Sequence, residues 1–238
     1  MSTRAAITPE ARSGLAEVVP PLEPGDHLSR DEFERRYEAM PGAPKAELIE
    51  GVVYMAPPAV RWDYHATPHS YLTTWLGTYA LATPGLQLGD NGSVRLDLDN
   101  EPQPDAALVI QPAFGGQARF ADDGFLEGAP ELAAEVSGTS VSIDLNAKLH
   151  AYRRNGVKEY LVWRVRDRVI DWFALSCGQY EPLPRLDAII RSEVFPGLWL
   201  APDDLINHRR TALATLHQGL ASPEYAAFVS RLRAAGAE

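Results

Sequence analysis

Residues 130–156 constrain the fold most, because a short apolar run, a small polar turn and an amphipathic segment follow one another there. Residues 131–136 follow a proline and are mostly apolar, which predicts a buried strand. Residues 138–140 are glycine, threonine and serine, and predict a tight turn. The apolar residues then recur at helical spacing and end at Asn155-Gly156, which is typical of a helix C-terminus. These residues are Leu145, Leu149 and Tyr152.

Charged residues stand at unusual places in this unit. Glu135 lies near the end of the predicted strand, where apolar residues are expected. Asp144, Lys148 and Tyr152 follow at intervals of four on one helix face. Taken alone, the Asp–Lys pair is typical of a solvated surface salt bridge. A carboxylate at a strand end followed by a helix with a lysine is also typical of an active site, so both interpretations stay open.

The rest of the chain predicts alternating strands and helices. A capping box at residues 29–32 predicts a short helix to about residue 40, and Pro68 suits the first turn of another helix. Residues 45–58 predict a strand or bent hairpin, and residues 111–129 a long loop. Further strands are predicted at 93–98, 106–110, 159–165 and 169–175, and further helices at 207–220 and 223–235. We expect one hydrophobic core formed by Trp75, Leu76, Leu108, Val136, Leu149 and Leu161.

Three polar residues outside the central unit are candidates for a site. Asp105 comes directly before the apolar run 106–110, where an acid is costly unless it is paired or bound to metal. His69 lies one turn before the apolar stripe of its helix and therefore points inward, as a core histidine or as a ligand. Glu47 lies in the predicted 45–58 strand, where a plain surface role is the alternative.

Composition limits the classes of function. The chain has 22 basic and 32 acidic residues, a formal net charge of −10, which disfavours loose binding to nucleic acid. Residues 153–168 nevertheless contain six basic and two acidic residues, which favours either a phosphate-binding surface or a solvated hairpin. One cysteine excludes a disulfide framework and fits a reducing cytoplasm. No apolar run is long enough for a membrane span.

Two carboxylates on neighbouring strands with a nearby lysine are the groups that metal-assisted phosphodiester hydrolysis needs. Carboxylate oxygens bind Mg²⁺ or Mn²⁺, and the ion polarises the phosphate and lowers the pKa of its bound water. A lysine ammonium can orient that water or neutralise developing charge. We therefore expect Asp105 and Glu135 to be central to any such site.

The motif order resembles a known family. The segments ELIEG, QPD, AAEVSGTS and NGVKEYLVW, with the inward histidine and the D-x-x-x-K-x-x-x-Y helix, are similar to the Uma-two family (Uma2) of bacterial restriction-endonuclease-like proteins. The resemblance covers roughly residues 28–200. It implies the α/β fold of the PD-(D/E)XK nuclease superfamily, with a central mixed sheet flanked by helices.

The resemblance also implies roles for single residues. Asp105 corresponds to the aspartate of the PD motif, Glu135 to the acid of the (D/E)XK element, and Glu47 completes the acidic, metal-binding set. Ser137 stands where the wider superfamily has its lysine. Lys148 matches the family's own lysine, which implies a relocated catalytic lysine. His69, Asp144 and Tyr152 match as supporting residues.

The leading hypothesis is a Mg²⁺- or Mn²⁺-dependent endonuclease that hydrolyses DNA in the cytoplasm. The alternative is a non-catalytic module that keeps the nuclease fold and binds nucleic acid or a partner. Glycoside hydrolysis by two carboxylates lacks a sugar-stacking pattern. A homodimer is a further expectation. We expect a flexible arm over residues 1–28, the nuclease-like domain over 29–206 and a helical tail over 207–238.

Overall fold

The computed structural model describes residues 18–56 and 60–237. Its strands are β1 (Ala46–Ile49), β2 (Val52–Met55), β3 (Leu86–Asp90), β4 (Val94–Arg95), β5 (Ala106–Ile110), β6 (Arg119–Phe120), β7 (Leu126–Glu127), β8 (Leu132–Ser137), β9 (Glu159–Arg164), β10 (Val169–Ser176), β11 (Gln179–Pro182), β12 (Arg185–Leu186), β13 (Ile189–Arg191) and β14 (Trp199–Leu200). Its α-helices are α1 (Arg30–Glu38), α2 (Thr67–Ala82), α3 (Val141–Ile143), α4 (Leu149–Arg154), α5 (Pro202–Ile206), α6 (Thr211–Leu220) and α7 (Pro223–Ala235). A π-helical turn, Trp62–Ala66, leads into α2, and a second, Asp144–Lys148, joins α3 to α4. A short 3-10 helix, Pro112–Phe114, follows β5.

A six-stranded mixed sheet forms the centre, in the order β11-β10-β9-β8-β5-β3. Strand β8 runs antiparallel to β5 and parallel to β9. All residues of β5 and β8 are buried, which explains why both read as nearly continuous apolar runs. The parallel β8–β9 pair requires a crossover connection, and the α3–π–α4 segment supplies it. The predicted α/β fold with a central mixed sheet is therefore confirmed.

The main core lies on one face of this sheet. The alternation of a strand puts Ala134 and Val136 on this face with Leu72, Trp75 and Leu76 of α2. Five of the six predicted core residues belong to this cluster. Leu149 does not, because α4 covers the opposite face, where Leu149 is partly buried beside a second cluster around Tyr152 and Tyr160.

The two ends of the described chain pack on the domain. Residues 18–28, predicted as part of a flexible arm, are instead attached: Leu22 is buried, and main-chain hydrogen bonds join Gly25 to Val53 and Leu28 to Gly51. The rest of that arm, residues 1–17, lies outside the described residues. In the segment predicted as a helical tail, Leu216, Phe228 and Leu232 belong to the main core.

Several local predictions differ from the structure. Ser29 precedes α1 but makes no side-chain capping bond, and the helix ends at Glu38. The predicted strand 93–98 is limited to Val94–Arg95, because the chain turns back where the Leu96 amide donates to the Asn100 carbonyl. The predicted loop 111–129 contains the 3-10 helix and the antiparallel pair β6–β7. No helix among residues 18–56 and 60–237 combines the length and apolar character needed to cross a membrane.

Candidate active site

Glu135 lies on β8 and faces away from the main core. Its neighbours Ala134 and Val136 pack into that core, so the alternation of the strand directs Glu135 to the face covered by α4. The side chain is buried, and its Oε1 accepts hydrogen bonds from Lys148 Nζ at 2.9 Å and from the Tyr152 hydroxyl at 3.1 Å. The structure therefore brings together three of the residues selected from the sequence.

Lys148 is the buried cation of this cluster. Its Nζ lies 2.8 Å from Glu47 Oε1 and 3.8 Å from Asp144 Oδ1, in addition to its contact with Glu135. The π-helical turn ends at Lys148, and both Asp144 and Lys148 are buried within it. The interpretation of this pair as a solvated surface salt bridge is therefore wrong. The segment that connects β8 to β9 packs on the sheet, so the Lys148 ammonium contacts Glu47 and Glu135 and is shielded from water.

Asp105 lies immediately before β5 and is bonded to the next strand. Its Oδ2 accepts a hydrogen bond from the Val136 amide at 2.7 Å, which ties the start of β5 to the end of β8. Its Oδ1 lies 3.6 Å from His65 Nε2 and 3.8 Å from Lys45 Nζ. The carboxylate is buried, but these partners offset the free energy that burying an acid at the start of a buried strand would otherwise cost.

Two histidines stack beside Asp105. The His65 and His69 rings are 5.3 Å apart and nearly parallel. His69 Nε2 lies 3.0 Å from the main-chain oxygen of Asp105 and 3.1 Å from Asp90 Oδ1, while His65 Nδ1 lies 3.2 Å from the Val136 carbonyl oxygen. His69 thus points inward as predicted, but His65 is the histidine that faces the carboxylate of Asp105.

His65 and Lys45 are the site residues that sequence reasoning missed. A signal existed for each. His65 precedes His69 by four residues, the spacing that shares a helix face, and Lys45 precedes Glu47 by two, the spacing that shares a strand face.

Glu47 connects the β1–β2 hairpin to the rest of the site. Its Oε1 accepts a hydrogen bond from the Gln103 amide at 2.7 Å as well as from Lys148. Gln103 belongs to the QPD segment that ends in Asp105, so the two acidic motifs are held together through this bond.

Asp144 has a structural set of partners. It accepts hydrogen bonds from the hydroxyls of Ser137 and Ser140, both at 2.5 Å. Ser137, which stands where the wider superfamily has its lysine, therefore helps to fix the turn between β8 and the helix that carries Lys148.

Burial and the charge of Lys148 have the largest and opposite effects on the pKa values of the acids in the cluster. Burial raises the pKa of Glu135 above its ordinary value, Lys148 opposes this, and the carboxylates of Asp144, Asp105 and Glu47 add to the rise. Burial alone would lower the pKa of Lys148, but the surrounding acids outweigh it and hold that pKa well above its ordinary range. Lys148 is therefore an ammonium at neutral pH, and three carboxyl groups, those of Glu47, Glu135 and Asp144, lie within 4 Å of it.

The donor set fits a hard divalent cation in its chemistry. Within residues 18–56 and 60–237, no three histidine, cysteine, aspartate or glutamate side chains already converge as a metal cage. Mg²⁺ is usually held by only one or two carboxylates together with waters and substrate phosphate. Asp105 and Glu135 could supply these oxygens and Glu47 a third, since carboxylate oxygens are the hard ligands that such an ion takes.

Comparison with protein-family models shows the family of this chain. The family model described as "Uma2: Putative restriction endonuclease" matches residues 30–203. The chain belongs to the Uma2 family. The resemblance stated from the motifs of the sequence is thereby confirmed.

This Uma2 chain is also similar to a solved structure, a putative nuclease belonging to DUF820 from Anabaena variabilis ATCC 29413. The TM-score is 0.53 at 12% identity, over 78% of this chain and 97% of that one. At this identity the likeness supports the fold alone. No curated protein matches the Uma2 chain at a significant level.

Proposed function

We propose that this Uma2 protein is a metal-dependent endonuclease that hydrolyses phosphodiester bonds in DNA. The observation that carries the proposal is the buried contact of Lys148 with Glu135 and Glu47. A lysine that comes from the helix after β8 reaches the acids at the strand ends. In this proposal Lys148 takes the role of the lysine that the wider superfamily has two residues after its acid.

The residues of the site have separable roles in this proposal. A water molecule attacks phosphorus, the P–O bond to the leaving alkoxide breaks, and a proton passes to that oxygen. Asp105 and Glu135 offer the oxygen ligands for a Mg²⁺ or Mn²⁺ ion, with Glu47 as a third. Bound there, such an ion supplies Lewis-acid polarisation of the phosphate and a lower pKa for its bound water.

Lys148 and the histidines act around these acids. The Lys148 ammonium can neutralise charge that develops on the phosphate oxygens. His65, with its Nε2 near Asp105 Oδ1 and its Nδ1 near the Val136 carbonyl, holds the carboxylate of Asp105 in place. Tyr152 does the same for Glu135 through its hydroxyl.

A second function is favoured by one feature of the same cluster. The Lys148 ammonium already bridges Glu47 and Glu135, which neutralises part of the charge that would attract a cation. A non-catalytic module that binds DNA through the nuclease fold would keep this bridge for stability alone. Such a module binds DNA but does not cleave it in the presence of metal.

Cleavage of single- and double-stranded DNA in Mn²⁺ or Mg²⁺ tests the proposal. We expect Asp105→Asn, Glu135→Gln and Lys148→Ala each to lose about 10²–10³-fold in rate, the size of effect typical for a group that stabilises transition-state charge. Asp122→Asn, which removes an exposed acid away from the site, is the matched control and should cleave normally. Thermal melts verify that each variant is folded.

Full activity in Asp105→Asn, or no cleavage of any DNA by the wild-type protein with either metal, would contradict the proposal. Binding without cleavage would favour the non-catalytic module. The homodimer and the cytoplasmic location stay predictions of the sequence.

A further inference from the structure

An exposed strip of aromatic and arginine side chains runs from the π-helical turn before α2 to the loop before α6. We call it the stacking strip. Its members are the half-buried Tyr64 and the exposed residues Trp62, Tyr71, Arg166, His208 and Arg210.

The first half of the strip is built around Tyr64. The guanidinium groups of Arg61 and Arg166 lie 4.8 and 4.7 Å from the centre of its ring. Trp62, in the same turn, is 80% exposed, whereas Trp75, Trp163 and Trp172 are buried in the core. The Trp62 indole is therefore left largely in water.

The second half is built around Tyr71, which lies in α2. The His208 ring stacks on the Tyr71 ring at 4.4 Å and an angle of 12°. These rings form a wall of a cavity of about 570 Å³ that Trp75, Arg209 and Arg210 also line. The cavity thus offers a flat aromatic wall with guanidinium groups beside it.

The turn between β9 and β10 joins the two halves. Arg166 lies over Tyr64, and Arg168, two residues later, donates a hydrogen bond to the Asn207 side chain at 2.5 Å, next to His208. Tyr64 and Tyr71 are therefore parts of one continuous surface.

The charge of this surface differs from that of the whole chain. In the basic segment 153–168, Arg154 pairs with Glu50, Lys158 with Glu131, and Arg164 with Asp167 and Asp171. Arg166, by contrast, is exposed on the strip, and Arg168, which is also exposed, donates to the Asn207 side chain. Two other guanidinium groups are partly neutralised, since Arg61 lies near Asp63 and Arg209 near Asp204. Two interpretations of segment 153–168 were open, a phosphate-binding surface and a solvated hairpin. The exposed Arg166 and Arg168, like Arg210 nearby, favour a phosphate-binding surface, whereas the paired residues of the segment favour a solvated hairpin.

The strip begins beside the candidate active site. Tyr64 directly precedes His65, which contacts Asp105. The Tyr64 main chain lies against the turn after β8, so close that a Cβ added at Gly138 would be 2.6 Å from the Tyr64 oxygen. A polymer bound along the strip would therefore lead into the acidic cluster.

We infer that the stacking strip binds an unpaired DNA strand, with bases on Trp62 and on the Tyr71–His208 wall and phosphates at Arg166 and Arg210. Stacking on aromatic side chains needs free base faces, which a duplex hides, and exposed arginines attract the phosphates. The inference rests on the proposed nuclease function and specifies its substrate as single-stranded DNA or a single-stranded region.

Binding without metal tests the strip apart from catalysis. Fluorescence anisotropy in EDTA should give tighter binding of a single-stranded oligo(dT) than of a duplex or of RNA of equal length. Trp62→Ala and Tyr71→Ala should each raise Kd about 5- to 100-fold, and Arg210→Glu should weaken binding further at low salt. Phe120→Ala, which truncates an exposed aromatic on β6, is the matched control and should bind as wild type does.

Tryptophan fluorescence adds a direct readout of stacking. Trp75, Trp163 and Trp172 are buried and Trp199 is half-buried under Arg191, so quenching by oligo(dT) should come mainly from Trp62. Trp62→Phe should lose most of the quenching and keep most of the affinity, because a stacking ring remains. Duplex or RNA binding as tight as that of oligo(dT), or affinities of Trp62→Ala and Tyr71→Ala within twofold of wild type, would overturn the inference.

Hydrolysis of bis(p-nitrophenyl) phosphate with Mn²⁺ separates this inference from the proposed function. This small diester does not reach the strip, so Tyr71→Ala should hydrolyse it at the wild-type rate while losing single-strand binding. If the wild-type protein hydrolyses neither the diester nor DNA yet binds oligo(dT) through the strip, the proposed nuclease function fails and the binding surface stands.

Discussion

The ammonium of Lys148 lies 2.9 Å from the carboxylate of Glu135, although the two residues are thirteen positions apart and lie on different elements. The contact forms because the crossover after β8 folds back over the strand that carries Glu135. It is buried on both sides, so we expect the pair to have a large effect on stability, and we propose a catalytic role for it.

Removal of the Lys148 charge should destabilise the protein strongly. Lys148→Met leaves the buried carboxylate of Glu135 without its cation, and the loss of one partner of a buried pair costs about 3–5 kcal/mol in unfolding free energy. The double variant Lys148→Met with Glu135→Gln should recover part of that loss, since the unpaired charge is gone. Urea denaturation of the two single variants and the double variant measures this coupling. Strictly additive effects would contradict a direct interaction.

Truncation of the core should distinguish the two faces of the sheet. Leu161 is fully buried in the main core, so Leu161→Ala should cost about 2–5 kcal/mol. Leu149 is only partly buried on the opposite face, so Leu149→Ala should cost less than Leu161→Ala. Denaturant melts of both variants provide the comparison. An equal or larger loss for Leu149→Ala would mean that α4 packs more deeply than the structure shows.

The free energy of unfolding should depend on pH through Glu159 on β9. Burial raises the pKa of this carboxyl from 4.5 to about 7, against opposing hydrogen bonds from Val194, Ser192, Glu193 and Trp172. The folded protein thus keeps a proton that the unfolded chain releases above its own pKa near 4.5. This group's stabilisation is fully present below that pH and is lost as pH rises to about 7, by about 3 kcal/mol.

Thermal melts between pH 5 and pH 7 test this dependence. The wild-type protein should lose stability as pH rises, and Glu159→Gln should show a shallower slope because it has no proton to release. The same slope in both proteins would rule out Glu159 as the titrating group.

A methyl group added at Gly138 should displace residues that lie next to the candidate active site. The added Cβ would lie 2.6 Å from the Tyr64 main-chain oxygen, closer than a carbon–oxygen contact allows. Gly138→Ala should therefore displace the turn that carries His65 and reduce DNA cleavage. Gly92→Ala is the matched control, because a Cβ there meets nothing within 4 Å. Gly138→Ala should cleave DNA more slowly than Gly92→Ala, and thermal melts of both variants show whether each is folded. Wild-type cleavage by Gly138→Ala would show that the contact between Gly138 and Tyr64 does not matter for the site.

The sequence by itself determined the central strands and the acids of the candidate site. Apolar runs and alternation are local properties, so β5, β8, α2 and the paired β9 and β10 could be predicted from spacing alone. Asp105 and Glu135 were recognisable because a carboxylate in or next to a buried strand contradicts the pattern around it. The motif order then gave the family and, with it, Lys148 and Glu47.

Only the tertiary structure decided what those residues face. An Asp–Lys pair at helical spacing is the same pattern on a surface or in a core, and Lys148 is buried because β1 and β8 bring Glu47 and Glu135 to it. Leu149 lies outside the main core because the crossover packs on the other face of the sheet. His65 meets Asp105 through the entry of α2, a contact 40 residues apart in the chain that no local pattern encodes. Spacing fixes which side chains share a face, but burial and charge pairing depend on which distant element covers that face.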